Sequence, residues 1–292
     1  MQKITPCLWF DDNAEEAVRY YTSIFKNSKT GNILRYDEAS SKAFGMPKDS
    51  VLTISFQLQG QDFIALNGGP IFKPNPSISF FVYFQKEKEL EEFFKKLSKN
   101  GEIMMPLDKY PFSEKYVFFK DQFGVSWQLM LAKSGSGIVP CLLFVDKKMG
   151  KAEAAINHYL KIFKNSKINS ITYYDKNFPG GKEGTVAHAS FNLENQEFMA
   201  MDGPGEHNFD FNEATSFLVN CDSQEKIDYY WNNLLKGGEE SQCSWLKDKF
   251  GVSWQIASVE VLKLLKNPKV MEAMMKMKKL NLKKLKEAAD KK

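Results

Sequence analysis

Apolar and polar positions along the chain follow two cycles that predict the same elements in the same order. An apolar run at residues 6–10 predicts a strand, and the acidic stretch 11–16 predicts a helix start, because side-chain oxygens cap a first turn. An apolar stripe at helical spacing follows, formed by Ala17, Tyr20, Tyr21, Ile24 and Phe25. Three more strands are predicted, at residues 31–37, 51–58 and 61–66.

A second cycle in the first half repeats this series. It begins with a strand at residues 78–84 and a helix at 88–97 that ends before Asn100-Gly101. Strands are then predicted at residues 102–107, 115–120 and 125–131. Each half of the chain is therefore predicted to contain the series strand–helix–strand–strand–strand twice. In the second half, the helix of the second series is predicted at residues 224–235.

The sequence itself repeats at the same distance. Residues 24–29 return at 162–167 without a change, and residues 120–128 return at 247–255 with one difference. A period near half the chain indicates a duplicated domain, because solenoid repeats are roughly 20–50 residues long. We predict domains at 1–132 and 138–258, a flexible linker at 133–137 and a C-terminal tail at 259–292.

The positive charge of the chain is concentrated in the tail. The 292 residues carry a formal charge of +4, but residues 259–292 hold 11 Lys and 4 Asp or Glu, a net +7 that leaves the rest at −3. A nucleic-acid-binding body would carry a basic face, so no nucleic-acid partner is expected. The tail is predicted to be a basic amphipathic helix broken at Pro268, which docks on the body or across a dimer, or else binds a membrane or partner helix.

Composition also predicts the compartment. No run of ~18 apolar residues is present, so no membrane span is expected, and residues 1–6 lack a signal-peptide core. The four cysteines form no C-x-x-C pair, and free thiols suit a reducing compartment. A cytoplasmic location is therefore predicted.

Several motifs resemble one family. They are residues 6–17 followed by Tyr20-Tyr21, residues 63–70, residues 250–255, and the tail segment 270–279. These resemble the PhnB-like group, often labelled "3-demethylubiquinone-9 3-methyltransferase domain", of the vicinal oxygen chelate (glyoxalase/bleomycin-resistance) superfamily. The resemblance implies an α+β fold of tandem domains, each made of two βαβββ units that form a cupped mixed sheet with helices on its convex face.

The resemblance also gives the positions where metal-dependent relatives carry His and Glu ligands. In the first half they fall near Thr5, Ala65, Ser77 and Gln128. In the second half they fall near Val139, Ala200, Ala214 and Gln255. None of these is His, Asp or Glu, and divalent metals need several anionic or imidazole ligands, so no metal and no cofactor are expected. The three histidines, His158, His188 and His207, are interpreted as structural or solvent-facing.

Strand alternation, with the inward direction that the resemblance gives to Gln128, predicts the side chains that line the two cups. The predicted lining of the first is Trp9, Phe63, Asn67, Ser126 and Gln128. That of the second is Cys141, Phe198, Asp202, Ser253 and Gln255. Aromatic surface with a few amide, hydroxyl and acid groups is typical of a small-molecule pocket.

Each polar candidate has a structural alternative. Gln128 and Gln255 could instead hydrogen-bond strands across a closed interior. Asp202 is either a general base or a turn residue, and Cys141 is either a nucleophile or a small buried residue. The repeated Lys-Asp before Phe-Gly, with Asp121 and Asp248, is predicted to form the turn into the last strand.

Three functions follow as hypotheses. The leading one is metal-independent binding of a small organic molecule. The second is an enzyme, either a methyltransferase as the label suggests or a metal-independent lyase or isomerase that uses Asp202 or Cys141; no G-x-G-x-x-G loop is present. The third is a non-catalytic dimer scaffold. The chain is a candidate homodimer, and its two halves are expected to imitate the dimer of single-domain relatives.

Overall fold

The chain follows the predicted order of strands and helices through both halves. The computed structural model describes residues 2–135, 137–176 and 180–290, with the backbone only for 259, 260 and 262. Strands of the first half are β1 Ile4–Phe10, β2 Lys29–Arg35, β3 Val51–Leu58, β4 Gln61–Asn67, β5 Ile78–Phe84, β6 Glu102–Tyr110, β7 Ser113–Lys120 and β8 Ser126–Leu131. Those of the second half are β9 Ile138–Phe144, β10 Lys167–Tyr173, β11 Val186–Leu193, β12 Gln196–Asp202, β13 Thr215–Cys221, β14 Glu239–Glu240, β15 Trp245–Lys247 and β16 Ser253–Ser258.

Helices follow the first strand of each βαβββ unit, as the apolar stripes predict. They are α1 Ala14–Ile24, α3 Glu87–Leu97, α4 Ala152–Ile162 and α5 Gln224–Leu234, to which the chain adds α2 Glu38–Phe44, a 3₁₀ turn Asp146–Lys148, and α6 Val259–Leu264, α7 Pro268–Met275 and α8 Leu282–Asp290 in the tail. Helix α2 was not predicted. It is held by a capping box between Asp37 and Ser40 and ends at Gly45 in the left-handed conformation. No helix of the described residues is long and apolar enough to cross a membrane.

Each of the two eight-stranded sheets takes four strands from each half of the chain. Sheet A has the order β14-β15-β16-β13-β1-β4-β3-β2, and sheet B has the order β10-β11-β12-β9-β5-β8-β7-β6. The halves meet where first strands pair antiparallel, β1 with β13 and β5 with β9. The cupped mixed sheets are confirmed, but the composition of each cup, predicted half by half, is wrong. The first strand of a unit has an edge that its own unit leaves unpaired, and a unit of the other half pairs with it.

The helix-side cores, in contrast, follow the repeats. In the first half α1 and α3 bury Val18, Tyr21 and Leu90 against strand residues such as Phe80 and Trp127. In the second half α4 and α5 do the same in a separate cluster. Each fully buried aromatic side chain contributes roughly 2–3 kcal/mol. The convex faces therefore hold each repeat together, and the sheets join the repeats to each other.

The linker between the repeats is tightly placed at its ends. Gly135 has φ +121°, and a Cβ there would lie 2.8 Å from the Tyr83 ring. The amide of Ile138 donates to Gln61 Oε1 at 3.2 Å. Residue 136 of the predicted linker lies outside the described residues.

The repeated Lys-Asp forms the turn into the last strand, as predicted. Asp121 Oδ1 accepts hydrogen bonds from the amides of Phe123 and Val125, at 2.8 and 3.1 Å. Its Oδ2 accepts from Tyr21 Oη at 2.7 Å and Trp127 Nε1 at 2.8 Å. One buried carboxylate thus ties the turn, helix α1 and strand β8 together.

The second repeat builds the same turn around Asp248. Its Oδ1 accepts from the amides of Phe250 and Val252, and its Oδ2 from Tyr159 and Trp254. Both aspartates are buried, so the motif has a structural role in both copies.

The tail docks on the body of its own chain. Helix α7 begins at Pro268, the predicted break, and its Val270 and Met271 are buried in the core cluster of the second repeat, as is Leu285 of α8. Backbone bonds of 2.8 Å join Cys243 and Ser244 to the carbonyls of residues 277 and 278. Its last two residues, 291 and 292, lie outside the described residues.

Candidate functional site

A row of four side chains crosses the floor of each cup. In sheet B, Ser79 is the register partner of Cys141 on one side and of Ser126 on the other, and Ser126 is paired with Lys120. Paired positions share a face of the sheet. The residues between them, such as Trp127, belong to the helix-side cores, so this row faces the concave side.

Sheet A has the same row in the same order. Cys7 pairs with Ser216, Ser216 with Ser253, and Ser253 with Lys247. Three of these four residues are almost fully buried. Each row takes its cysteine from one repeat and its two serines and lysine from the other, so both rows cross the boundary between the repeats.

A glutamine next to each row bonds one of its serines. Gln128 Nε2 donates to Ser79 Oγ at 2.7 Å, and Tyr116 donates its hydroxyl to Gln128 Oε1. Gln255 Nε2 donates to Ser216 Oγ at 3.0 Å. Both predicted glutamines therefore face the cups, and each also links neighbouring strands.

The other serine of each row lacks a partner. Ser126 Oγ and Ser253 Oγ are buried and make no hydrogen bond with the described residues. An unmade bond at a buried hydroxyl costs about 1–3 kcal/mol, which a bound group in the cup would recover.

The thiols of the rows are poor nucleophiles. Burial raises the pKa of Cys7 to about 11 and that of Cys141 to about 12, although the neighbouring serine and glutamine oppose the shift. A thiol with such a pKa is protonated at neutral pH, and the thiolate is the reactive form. The structural alternative for Cys141 is the better supported one.

Four predicted lining residues face the helices instead of the cups. Phe63 and Phe198 lie in the two helix-side cores, and Asn67 and Asp202 lie on the same sides of their strands. The parallel pairing of Cys7 with Ile64 and of Cys141 with Met199 is the reason. It shifts β4 and β12 by one residue relative to the assumed register, and a one-residue shift exchanges the faces. The expected inward positions Ala65 and Ala200 are wrong for the same reason.

Asn67 and Asp202 anchor helix starts. Asn67 Oδ1 accepts from the amide of Ala14 at 2.8 Å. Asp202 Oδ1 accepts from the amides of Gly150 and Ala152, at 2.7 and 3.2 Å, and its Oδ2 from Val186 at 2.8 Å. With its oxygens engaged by three backbone donors on the helix side, Asp202 is not placed as a general base for a ligand in the cup.

Aromatic and methionine side chains form the wall of the sheet B cup. They make a third apolar cluster, separate from both helix-side cores. Its buried members are Phe81, Tyr116, Val139, Cys141 and Met199, and its partly exposed members are Tyr83, Met105, Tyr110, Phe118, Met130 and Met201. Alternation along β8 places Met130 on the face of Gln128, but apart from Met130 and Cys141 these residues do not follow from the sequence, because pairing between halves decides which strands meet. With that pairing known, alternation from Gln128 and Cys141 also identifies Phe81 and Val139.

His188 also lies in this cup. Its ring packs edge-on to Phe81, with centroids 6.4 Å apart. Burial lowers the pKa of His188, and the carboxylate of Glu197 opposes that shift. Glu197 in turn accepts a hydrogen bond of 2.6 Å from Ser190 Oγ. The cup therefore contains an imidazole near one carboxylate.

The sheet A cup is covered by the tail. Its concave residues Leu218 and Ala257 are buried in one cluster with Val261 and Met271 of the tail. At the rim, Trp9 is partly exposed and packs edge-on to Trp245, with centroids 6.2 Å apart. Sheet B, in contrast, keeps partly exposed aromatic and methionine side chains across its concave wall.

The described residues contain no group of three or more His, Cys, Asp or Glu side chains that could hold a metal ion. The register partners of the expected ligand positions are apolar: Leu218 lies beside Thr5 and Gln255, and Phe81 lies beside Gln128 and Val139. The donor set does not fit a divalent metal, which requires several such ligands.

The sequence profile of a family described as 3-demethylubiquinone-9 3-methyltransferase matches residues 2–130 and 136–257 of the chain. No curated protein matches in sequence. Among solved structures, a putative 3-demethylubiquinone-9 3-methyltransferase, PhnB protein, from Bacillus cereus is 41% identical. It covers 45% of this chain and 100% of its own, with a TM-score of 0.41.

Two further structures show the range of similarity. A protein from Staphylococcus aureus is 33% identical over 45% of this chain and 97% of its own, with a TM-score of 0.19. Glyoxalase I from Zea mays covers 90% of this chain and 96% of its own, with a TM-score of 0.55 at 13% identity. That last similarity extends through both repeats and shows the fold.

Proposed function

Because the chain belongs to the 3-demethylubiquinone-9 3-methyltransferase family, a PhnB-like group of the vicinal oxygen chelate superfamily, we propose that its sheet B cup binds a small organic molecule without a metal. The observation that carries this proposal is the third apolar cluster on the concave face. Six of its members are only partly buried, so a ligand would remove further apolar surface from water at about 25 cal/mol per Å².

The polar groups of this cup define the kind of ligand. Ser126 Oγ is a buried hydroxyl with no partner in the described part of the chain, beside an amide fixed by Ser79 and Tyr116. Aromatic walls with one or two fixed polar groups orient a ligand by hydrogen bonds. We expect a neutral aromatic or quinone-like molecule with a carbonyl or hydroxyl group directed at Ser126.

Methionine methyl signals test the proposal. Protein labelled with ¹³C at methionine methyls is titrated with 1-naphthol, a neutral aromatic probe with one hydroxyl. Signals of Met130, Met199 and Met201 in the cup are expected to shift, whereas those of Met271 and Met274 in the tail stay in place. Shifts confined to the tail, or none up to the solubility limit of the probe, would exclude a binding site in this cup.

A matched pair of variants links the binding to the cup. Gln128→Leu removes the fixed amide of sheet B, and Gln255→Leu makes the same change in sheet A. We expect Gln128→Leu to weaken 1-naphthol binding roughly tenfold, the equivalent of about 1.4 kcal/mol, and Gln255→Leu to leave it unchanged. Equal effects of the two variants would contradict the choice of sheet B.

A further inference from the structure

A groove of about 460 Å³ opens in the first repeat, apart from the wall of the sheet B cup. It lies between the end of β1, the loop before β5 and the turn before β8. Its lining includes Trp9, Asp11, Phe72, Lys73, Phe123 and Gly124.

The second repeat fills the corresponding place with its own side chain. Lys148 Nζ lies 2.8 Å from Asp210 Oδ1 and 5.2 Å from the centre of the Phe211 ring. A Cβ added to Gly251 would lie only 2.3 Å from this Nζ. The lysine therefore lies directly on Gly251.

The first repeat has no residue in that position. Around Gly124, the equivalent of Gly251, the nearest atom to an added Cβ is the Pro74 carbonyl oxygen at 3.8 Å. Lys148 comes from the 3₁₀ turn Asp146–Lys148, which is inserted between β9 and α4. The chain between β1 and α1 is four residues shorter and cannot reach across.

The charge at the far side of the groove is also reversed. Asn75 Nδ2 donates to the carbonyl of Asp210, and Asn212 Nδ2 donates to the carbonyl of Lys73, at 2.9 and 3.0 Å. These reciprocal bonds show that Lys73 stands where the second repeat has Asp210. No acidic group of the described residues forms an ion pair with Lys73 within 4.0 Å, whereas Asp210 is neutralised by Lys148.

The remaining charges of the groove leave Lys73 as its accessible cation. Lys120 Nζ is paired with Glu102 at 2.6 Å, and four donors surround the buried Asp121. Asp11 is exposed at the rim, where water screens its charge.

We propose that this groove binds a small aromatic carboxylate. The ring lies against Trp9 and Phe72, which already pack edge-to-face with centroids 5.1 Å apart, and the carboxylate pairs with Lys73. The ligand takes the place that the Lys148 side chain occupies in the second repeat. Its charge is negative where that of Lys148 is positive, because it faces Lys73, whereas Lys148 faces Asp210.

Backbone and indole NMR signals report on this site directly. The full-length protein, labelled with ¹⁵N, is titrated with benzoate, benzyl alcohol and benzylamine in separate experiments. Benzoate is expected to shift the Gly124 amide and the Trp9 indole signal and to leave Gly251, the closed equivalent, unchanged. Binding of benzylamine in preference to benzoate, or equal shifts at Gly124 and Gly251, would overturn the proposal.

Charge variants separate this site from general anion binding. Lys73→Ala is expected to weaken benzoate binding roughly fivefold, and Asp11→Asn to strengthen it about twofold by removing repulsion. Lys29→Ala, a change at an exposed lysine of β2, is the control that leaves the affinity unchanged. Lys148→Ala is expected to move the Gly251 signal without creating a second benzoate site, because Asp210 remains. Loss of affinity in the Lys29 variant equal to that in the Lys73 variant would refute a specific site.

Discussion

Tyr21 donates its hydroxyl to the buried carboxylate of Asp121 at 2.7 Å, and Tyr159 makes the same bond of 2.7 Å to Asp248 in the other repeat. In each case a helix at the convex face is attached to the turn that starts the last strand of a neighbouring unit. The pair therefore connects the two βαβββ units within a repeat.

We predict that Tyr21→Phe and Tyr159→Phe destabilise the protein to a similar extent. Each removes one of four donors from a buried carboxylate, and a hydrogen bond to a charged group contributes about 1.5–3 kcal/mol. Urea unfolding of each variant measures the loss of free energy of unfolding. Tyr20→Phe, at the preceding residue whose hydroxyl bonds a surface carbonyl, is the control with a loss below about 1 kcal/mol. Equal stability of wild type and Tyr21→Phe would show that the bond contributes nothing.

The pH dependence of stability is expected to depend on Asp121. Burial raises the pKa of this carboxyl to about 6, from 3.8 in the absence of the fold, and its hydrogen bonds only partly oppose the shift. The folded state therefore binds the proton more tightly than the unfolded chain. The stabilisation that the protonated carboxyl gives to the folded state is fully present below about pH 4 and is lost as the pH rises to about 6. This changes the free energy of unfolding by about 3 kcal/mol at most.

Comparison with Asp121→Asn isolates this contribution. The variant lacks the titrating group, so the difference in unfolding free energy between wild type and variant is predicted to be larger at pH 4.5 than at pH 7.5. Urea titrations at both values give that difference. A penalty that instead grows with pH would mean that the hydrogen bonds hold the pKa below its usual value.

Asp202 is predicted to matter for stability and not for ligand binding. Asp202→Ala leaves three backbone amides without an acceptor, and each unsatisfied amide costs about 1–3 kcal/mol. Because water can bind some of these amides in the variant, a total loss of roughly 3–5 kcal/mol in the free energy of unfolding is expected. Asn67→Ala, at the equivalent anchor, should cost less, because it accepts from one amide. Thermal unfolding ranks the two variants. Unchanged stability of Asp202→Ala together with lost 1-naphthol binding would place Asp202 in the cup.

The thiols of Cys7 and Cys141 are expected to resist alkylation. A pKa of about 12 for Cys141 leaves roughly a thousandfold less thiolate at pH 8 than a free cysteine has. Iodoacetamide labelling followed by mass spectrometry should modify Cys243 before Cys7 and Cys141, because Cys243 is partly exposed, although its pKa is also raised to about 11 by burial. In urea all four should react at similar rates. Fast labelling of Cys141 in the native protein would show that the cup opens and activates this thiol.

Local sequence signals predicted the elements well, because their causes are local. The acidic stretch 11–16 spans the start of α1, Pro268 starts α7, and the Lys-Asp before Phe-Gly forms the turn that Asp121 holds together. The cap expected within that stretch is not formed, because Asn13 makes no side-chain cap bond and the amide of Ala14 donates to the distant Asn67. The start of α7 and the Asp121 turn depend on the ring of proline and on side-chain to backbone bonds within a few residues.

The candidate site was only half predictable, because it depends on pairing between distant strands. Ser126, Gln128, Ser253 and Gln255 were placed correctly, since alternation along one strand is enough to orient them. Phe63 and Asp202 were placed on the wrong face, because their orientation depends on the register of β4 and β12 against strands far away in the sequence. No local signal reports that register, and none shows that Gln128 meets Cys141.

Sheets that interleave the two repeats have an evolutionary consequence. A protein cleaved in the linker would stay assembled as a heterodimer. Separation of the fragments would require the loss of the backbone hydrogen bonds between β1 and β13 and between β5 and β9. Gene duplication gave the chain two copies of the repeat, and each cavity has walls from both copies. Because the two copies can accumulate different substitutions, the two cavities can diverge. The C-terminal helices could then cover the cavity of sheet A while that of sheet B stayed open to solvent.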